Sequence, residues 1–220
     1  MDFSSFIMQN FQKTLSDPEE IHILTGQYAL FRDLCDLPDD KFVELDLGCG
    51  KGGFTAALAE RFPDRFILAA DIMLGRMRRV RKKVDKTGAD NVRFLRAEAR
   101  FLLGKCLPDN CIDRIHILCP DPWPKDRHRS HRLLCSDFMM FINRVLKEGG
   151  IFHFSTDAGE YMESVMKSVA ASGLFEEAPP EVLADVADIK TEFERDWLAM
   201  GKTVPHVAWR AVKKPFSGMH

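Results

Sequence analysis

A glycine-rich turn preceded by an acid is the first place in this chain where residue type and spacing imply chemistry: Asp46-Leu47-Gly48-Cys49-Gly50-Lys51-Gly52-Gly53. Glycine lets a backbone turn tightly and approach a ligand closely. A helix that starts just after such a turn aims its free N–H groups at whatever sits there. Two spacings overlap in these residues. Gly48, Gly50 and Gly52 read as GxGxG, the turn of enzymes that use S-adenosyl-L-methionine (SAM). Gly48, Gly50 and Gly53 read as GxGxxG, the dinucleotide turn in which a pyrophosphate rests on the helix. Asp46 stands two residues before the first glycine and favours the former. A carboxylate there repels a pyrophosphate and suits a ligand carrying an ammonium and a sulfonium. A purely structural turn is the plainer alternative.

Further acids close successive strand-like runs: Asp71 after FILAA, Glu98 after NVRFLRA, Asp121 after IDRIHIL and Asp157 after IFHFS. Asp71 is placed to accept both ribose hydroxyls of a nucleoside. Glu98 is placed to accept from an adenine amino group. A lone acid after a strand is commonly just a helix N-cap, and Asp157 is a candidate for that role. The recurrence of acids on one edge, where a parallel sheet binds its ligands, is what points to a site.

The most informative stretch is Cys119-Pro120-Asp121-Pro122-Trp123-Pro124-Lys125-Asp126-Arg127-His128. Prolines fix φ and stiffen it, so Asp121 can be held at a set position. Trp123 can stack or pack. Lys125, Arg127, Arg129 and Arg132, with His128 and His131, offer phosphate contacts beside that acid. A rigid loop with a solvated basic face is the structural alternative.

This D-P-W-x-K-x-R-H run after a GxGxG turn resembles the tRNA (guanine-N7-)-methyltransferase family. Thr191-Glu192-Phe193-Glu194 is similar to that family's T-x-[FY]-E motif, and Ser155-Thr156-Asp157 is a third match. The resemblance runs from about Thr25 to about Trp209. It implies SAM as methyl donor, held by Asp46, Gly48, Gly50, Gly52, Asp71, Glu98 and Asp121. It implies Asp121 as the active-site acid. Substrate contacts fall on Lys125, Arg127, His128, Asp157, Thr191 and Glu194. The implied reaction is methylation of guanine N7 in the tRNA variable loop, giving 7-methylguanosine. The chain departs from the pattern in three places: Asp46 stands where the family often has Glu, Ser130 and His131 dilute the basic run, and Lys13 is the only Lys or Arg in residues 1–31. The basic stretch Arg76–Lys86 can compensate, or can be a solvated helix face around an apolar stripe.

The elements that would position these residues alternate along the chain. Strands are expected at Lys41–Leu47, Phe66–Ala70, Asn91–Ala97, Ile112–Leu118, Ile151–Ser155 and His206–Val212, and helices at Phe54–Arg61, Leu74–Lys86, Ser136–Leu146 and Tyr161–Ala171. Such βαβ units predict an α/β, doubly wound, mostly parallel sheet. With the resemblance, that is the Rossmann-like class I methyltransferase fold. One domain is expected over 41–213, with an N-terminal helical extension over 1–40 and a tail from 214. Residues 174–203 read as a loop plus a helix.

Composition sets the outer bounds. The chain has 220 residues, 45% hydrophobic and 29% charged, with a net charge of −2. That is enough for one core and a charged surface. No apolar run reaches membrane-spanning length, and no secretory leader is legible, so the expected location is cytoplasmic. None of the six cysteines forms a CxxC pair, so no metal is expected. The expected partner is tRNA, with no membrane, and the chain a monomer or homodimer. Rival readings are a SAM-dependent methyltransferase of another substrate, a non-catalytic RNA-binding subunit of the same fold, and a nicotinamide-dependent oxidoreductase.

Overall fold

A computed structural model describes residues 21–24, 37–121 and 133–213. Short apolar runs bounded by glycine and acids become the strands of one eight-stranded sheet: β1 (Ile21–Ile23), β2 (Val43–Leu47), β3 (Phe66–Asp71), β4 (Val92–Arg96), β5 (Ile112–Leu118), β6 (Leu146–Ser155), β7 (Phe175–Glu177) and β8 (His206–Ala211). Their order across the sheet is β1-β4-β3-β2-β5-β6-β8-β7. The six from β1 to β6 run parallel, while β8 is antiparallel to both β6 and β7. Every residue of β2 and β3 is buried. That fits parallel strands covered on both faces.

Helices α1 (Gly53–Arg61), α2 (Leu74–Asp85), α3 (Ala99–Phe101, continued by a π-helical turn over Leu102–Cys106), α4 (Ser136–Val145), α5 (Gly159–Ser172) and α6 (Glu192–Ala199) supply the cover. The sheet splits the core in two. Val43, Leu45 and Leu47 face a cluster with Phe138, Ile142 and Val165. Ile67, Ala69 and Phe94 face a second with Leu58, Met77 and Val80. Met77, Val80 and Val84 are the buried residues of α2, the stripe expected of that helix, and most of its other residues are basic.

Chain direction changes side at β2. The chain steps outward from β2 to β3 and β4, then returns to lay β5 on the other flank of β2. The gap between the carboxyl ends of β2 and β5 is the topological switch point, where doubly wound sheets bind ligands. Both the glycine turn and the Cys119–Asp121 segment leave from there.

Three expectations change in detail. Within the expected helical extension, residues 21–23 instead form a strand at the sheet edge, paired to β4. Three residues are too few to show a period, and the pairing supplies what local pattern does not. Next, β6 begins at Leu146, so Gly149-Gly150 lies inside a strand rather than between helix and strand. A Cβ at Gly150 would sit 2.9 Å from the Lys147 carbonyl oxygen, so glycine admits the close backbone approach. Finally, residues 174–203 contain strand β7 and a 3₁₀ turn (Pro180–Leu183) besides the expected helix. Among the described residues no helix is long and apolar enough to cross a membrane.

Leu45 is fully buried at the centre of β2. Leu45→Ala should lower unfolding free energy by about 2–5 kcal/mol, from lost transfer energy plus a residual cavity. A denaturant titration with unchanged slope checks it.

Candidate active site at the switch point

The glycine turn adopts the backbone its sequence requires. Gly48, Gly50 and Gly52 have φ of 82°, 54° and 80°, a region open to glycine and strained for other residues. The N–H groups of Gly48 and Cys49 both donate to the Ala70 carbonyl, at 2.8 and 3.1 Å, tying the turn to β3. A Cβ on Gly48 would meet no atom within 4 Å, and on Gly50 it would reach only the Gly48 carbonyl and the Phe193 ring edge at 3.7 and 4.0 Å. Both glycines line an open cleft of about 510 Å³. Gly52 is different. Its Cβ would lie 2.8 Å from Val80 Cα, so it fixes the approach of α1 to α2.

Asp46 is buried beneath this turn and accepts a hydrogen bond from Thr55 Oγ1 at 2.5 Å. Burial, with Asp71, Glu192 and Glu44 as negative neighbours and Thr55 opposing, pushes its carboxyl up to about 7. Asp71 ends β3. Its Oδ1 accepts from the Met73 N–H at 2.8 Å, and its Oδ2 lies 3.4 Å from the Arg76 guanidinium. Glu98 is an exposed N-cap, its two oxygens accepting from the Arg100 and Phe101 N–H groups at 2.9 and 2.8 Å. Asp121 is exposed at the rim. It follows Cys119, whose φ of 51° is unusual for a non-glycine residue. Strain of this kind persists where surroundings hold it, commonly at functional sites. Here the Cys119 N–H donates to Ser155 at 2.8 Å and its thiol touches the Thr191 and Ser155 hydroxyls, both at 3.7 Å.

Asp46, Gly48, Gly50, Asp71, Glu98, Asp121 and Thr191 thus share the lining of one cleft. Gly52 supports it from behind. Two expected substrate contacts lie elsewhere. Asp157 is paired with Lys202 at 3.0 Å and is not part of the lining. Glu194 is turned inward, buried at 1% exposure against His206 and Lys190. Lys125, Arg127 and His128 fall outside the described residues.

Around the expected Thr191 the structure builds a cleft wall that adds Trp197, which sequence reading missed. Thr191 caps α6, accepting from the Glu194 N–H at 3.0 Å. Glu192, Phe193 and Trp197 on that helix complete the cleft wall. Phe193 and Trp197 are one helical turn apart, with ring centroids 6.1 Å apart, and Lys51 lies over Phe193 at 4.8 Å. Glu192 accepts from the Gly53 N–H at 3.2 Å and pairs with Lys83. Burial opposes its ionisation, but the Lys83 ammonium and the Gly53 N–H outweigh this and hold the carboxyl below its ordinary value. A protein carboxylate therefore occupies the N-terminus of α1, where a dinucleotide would put its pyrophosphate. The only local signal for Glu192 was its place inside T-x-F-E. Among the described residues no group of three or more His, Cys, Asp or Glu is arranged to hold a metal.

A doubly wound sheet with an acid-lined cleft at its switch point defines the fold of class I methyltransferases. Solved structures agree on the fold. The aminoglycoside resistance methyltransferase NpmB1 superposes with a TM-score of 0.59 at 19% identity, covering 87% of this chain and 98% of that one. The 16S rRNA methyltransferase KamB gives 0.60 at 17%, covering 88% and 99%. A family model described as "Putative methyltransferase" matches residues 40–207. Curated relatives named tRNA (guanine-N(7)-)-methyltransferase include that of Syntrophotalea carbinolica, 33% identical over 76% of this chain and 72% of the relative. That of Marinobacter nauticus is 30% identical over 76% and 73%. That of Thermotoga maritima is 31% identical over 78% of this chain, the match spanning 54% of its length. The chain belongs to the tRNA (guanine-N(7)-)-methyltransferase family.

Gly52→Ala adds a left-handed backbone penalty of about 1–2 kcal/mol to a clash with the Val80 backbone at 2.8 Å. We expect a lowered unfolding midpoint. Gly88→Ala serves as control, because φ is also positive (75°) there but a Cβ meets no atom within 4 Å. A smaller loss at Gly52 than at Gly88 would contradict the packing role.

Proposed function

We propose that the protein transfers a methyl group from SAM to N7 of a guanine in tRNA. The observation that carries this reading is the acid-lined cleft, joined to membership of a family whose relatives bear that activity in their names.

The residues present fit the donor. A cleft of about 510 Å³ lies in the range of small-molecule and cofactor sites. Gly48 and Gly50 leave open space against the turn. Asp46 and Asp71 place negative charge at adjacent strand ends, complementary to a cationic ligand. Asp71 would hold the ribose hydroxyls, Asp46 the cationic end of the ligand and Glu98 the adenine edge. SAM supplies an electrophilic methyl group on a sulfonium.

Guanine N7 carries a free lone pair, so this chain needs no general base to create the nucleophile. Its residues must align the purine and keep water out. Such positioning contributes about 7–11 kcal/mol in favourable cases. Phe193 and Trp197 provide aromatic faces for a base, a contact worth about 1–3 kcal/mol per stacked base. Asp121 lies at the rim, where its carboxylate accepts from the guanine N1–H and amino group. The ring gains positive charge as methyl transfer proceeds, and a carboxylate already in place stabilises that change. The target base must leave its stack to enter. Exposed Arg78 and Lys82 lie on α2, the helix whose Arg76 lines the cleft, and suit phosphates.

Two outcomes test this reading. Purified protein with labelled SAM and unmodified tRNA should yield labelled 7-methylguanosine, and Asp121→Asn should lower turnover by roughly 100-fold or more. Label in another nucleoside, or none with SAM bound, would overturn the assignment. Asp46 makes a separate prediction. With its carboxyl at about 7, it is mostly protonated below that pH and mostly ionised above it. A cationic ligand favours the ionised form, so donor affinity should rise roughly tenfold between pH of about 6 and about 8. Asp46→Asn should flatten the profile measured by calorimetry.

A further inference from the structure

Behind the cleft, a row of polar side chains crosses the sheet inside the apolar core. Glu44 of β2, His116 of β5, His153 of β6 and His206 of β8 stand on neighbouring strands, and Glu194 of α6 closes the row. Register explains the placement: Asp46 pairs with His116, so Glu44 lies one pleat away on the same face, and His116 pairs directly with His153. The links are short: Glu44 to His116 at 2.6 Å, His116 to His153 at 2.9 Å, His153 to His206 at 2.8 Å and His206 to Glu194 at 2.9 Å. Glu44, His116, His153 and Glu194 are all at most 2% exposed.

Proton counting on this row has one solution. Each link needs one proton between its two heavy atoms. There are four links, and three neutral imidazoles carry only three N–H groups. The count does not depend on which tautomer each neutral ring adopts, because every ring nitrogen in the row is used. Both end carboxylates are held ionised. Glu44 accepts from Arg65 at 2.5 Å with Arg114 nearby, and Glu194 accepts from Lys190 at 2.8 Å on the same oxygen that meets His206. Burial works against ionisation of Glu194, but the bonds from His206 and Lys190 hold its carboxyl below the ordinary value. The fourth proton therefore rides on an imidazole. Burial disfavours that charge on His116 and His153, and the remaining ring of the row, His206, is the one that contacts Glu194.

We propose that the Glu44–His116–His153–His206–Glu194 row stores one excess proton and that this proton clamps α6, the aromatic wall of the cleft, onto the sheet. Without it, one of the four links is left lone pair to lone pair, inside protein where such a pair is costly, and the link that can open is His206–Glu194, at the partly exposed ring. Phe193 lies beside Glu194 in sequence and Trp197 one turn further on, so release of Glu194 loosens the wall. His206 is therefore a positioning residue that acts through Glu194. The groups facing the row are Arg65, Arg114 and Asp185 at the Glu44 end, where Arg114 meets Asp185 at 2.9 Å, Asp46 on the same strand face as Glu44, the Phe54 ring against His116, and Lys190 at the Glu194 end. The consequence for methyl transfer rests on the reading above; the stored proton does not.

Glu194→Gln separates this from a merely structural role. The new amide can turn an N–H toward His206, and the Lys190 ammonium, which met that same oxygen, must shift to the amide oxygen; three neutral imidazoles then satisfy every link. Side-chain ¹⁵N NMR of the full chain should show one doubly protonated imidazole in the wild type at neutral pH and none of the three in Glu194→Gln. Amide-exchange protection of α6 should fall roughly tenfold, the scale of one charge-assisted hydrogen bond, when the wild type is brought to alkaline pH. It should stay level in Glu194→Gln. In His206→Phe it should be low throughout. Three neutral rings in the wild type at neutral pH would overturn the proposal, and so would the same pH-dependent loss in both the wild type and Glu194→Gln. A protein that shows the proton and the protection change but binds no SAM would leave the proposal standing and sink the donor reading instead.

Discussion

Negative charge held under a glycine turn at the break in strand order is the constraint on which the site depends. Asp46 lies in a fully buried strand, yet it stands at the ligand edge with Asp71 beside it. Burial raises its carboxyl to about 7, so this position holds its charge reluctantly. A cationic ligand relieves that tension, and an anionic one worsens it. The same fact explains why the glycine spacing alone leaves two readings open while the site does not. The dinucleotide alternative needs a phosphate on α1, and Glu192 already sits there.

The rest of the architecture serves that edge. The two sheet faces are packed by separate apolar clusters, which fixes the strands and hence the spacing of their ends. Gly52 sets α1 against α2 at a distance no side chain would allow. On the far side, α6 closes the cleft with aromatic rings while its inward carboxylate reaches the histidine row. Buried polar groups are costly unless every one is satisfied. The row from Glu44 to Glu194 uses every ring nitrogen of its three histidines, leaves Glu194 Oε2 without a partner among the described residues, and ties four strands and the cleft wall into one unit.

The strands and helices around the switch point were legible in the sequence because their patterns are local. The glycine turn and the acids at Asp46, Asp71 and Asp121 fell in the expected places for the same reason. The misses have a common cause. His116, His153 and His206 are 37 and 53 residues apart in sequence, so no spacing rule joins them. Only the sheet register does. Glu192 and Trp197 face the cleft while Glu194 faces the core, a division within one helix that composition does not reveal. Glu98 was read at the right strand end, and the structure shows it also capping α3. Strand β1 is too short to announce itself. It exists because β4 offers an edge.

The most direct measurement of the central claim is nucleoside mass spectrometry of tRNA from cells lacking this protein. The account predicts that 7-methylguanosine disappears from tRNA and returns when the wild-type chain is restored, but not when Asp121→Asn is supplied. Undiminished 7-methylguanosine in the deleted strain, or full restoration by Asp121→Asn, would contradict it.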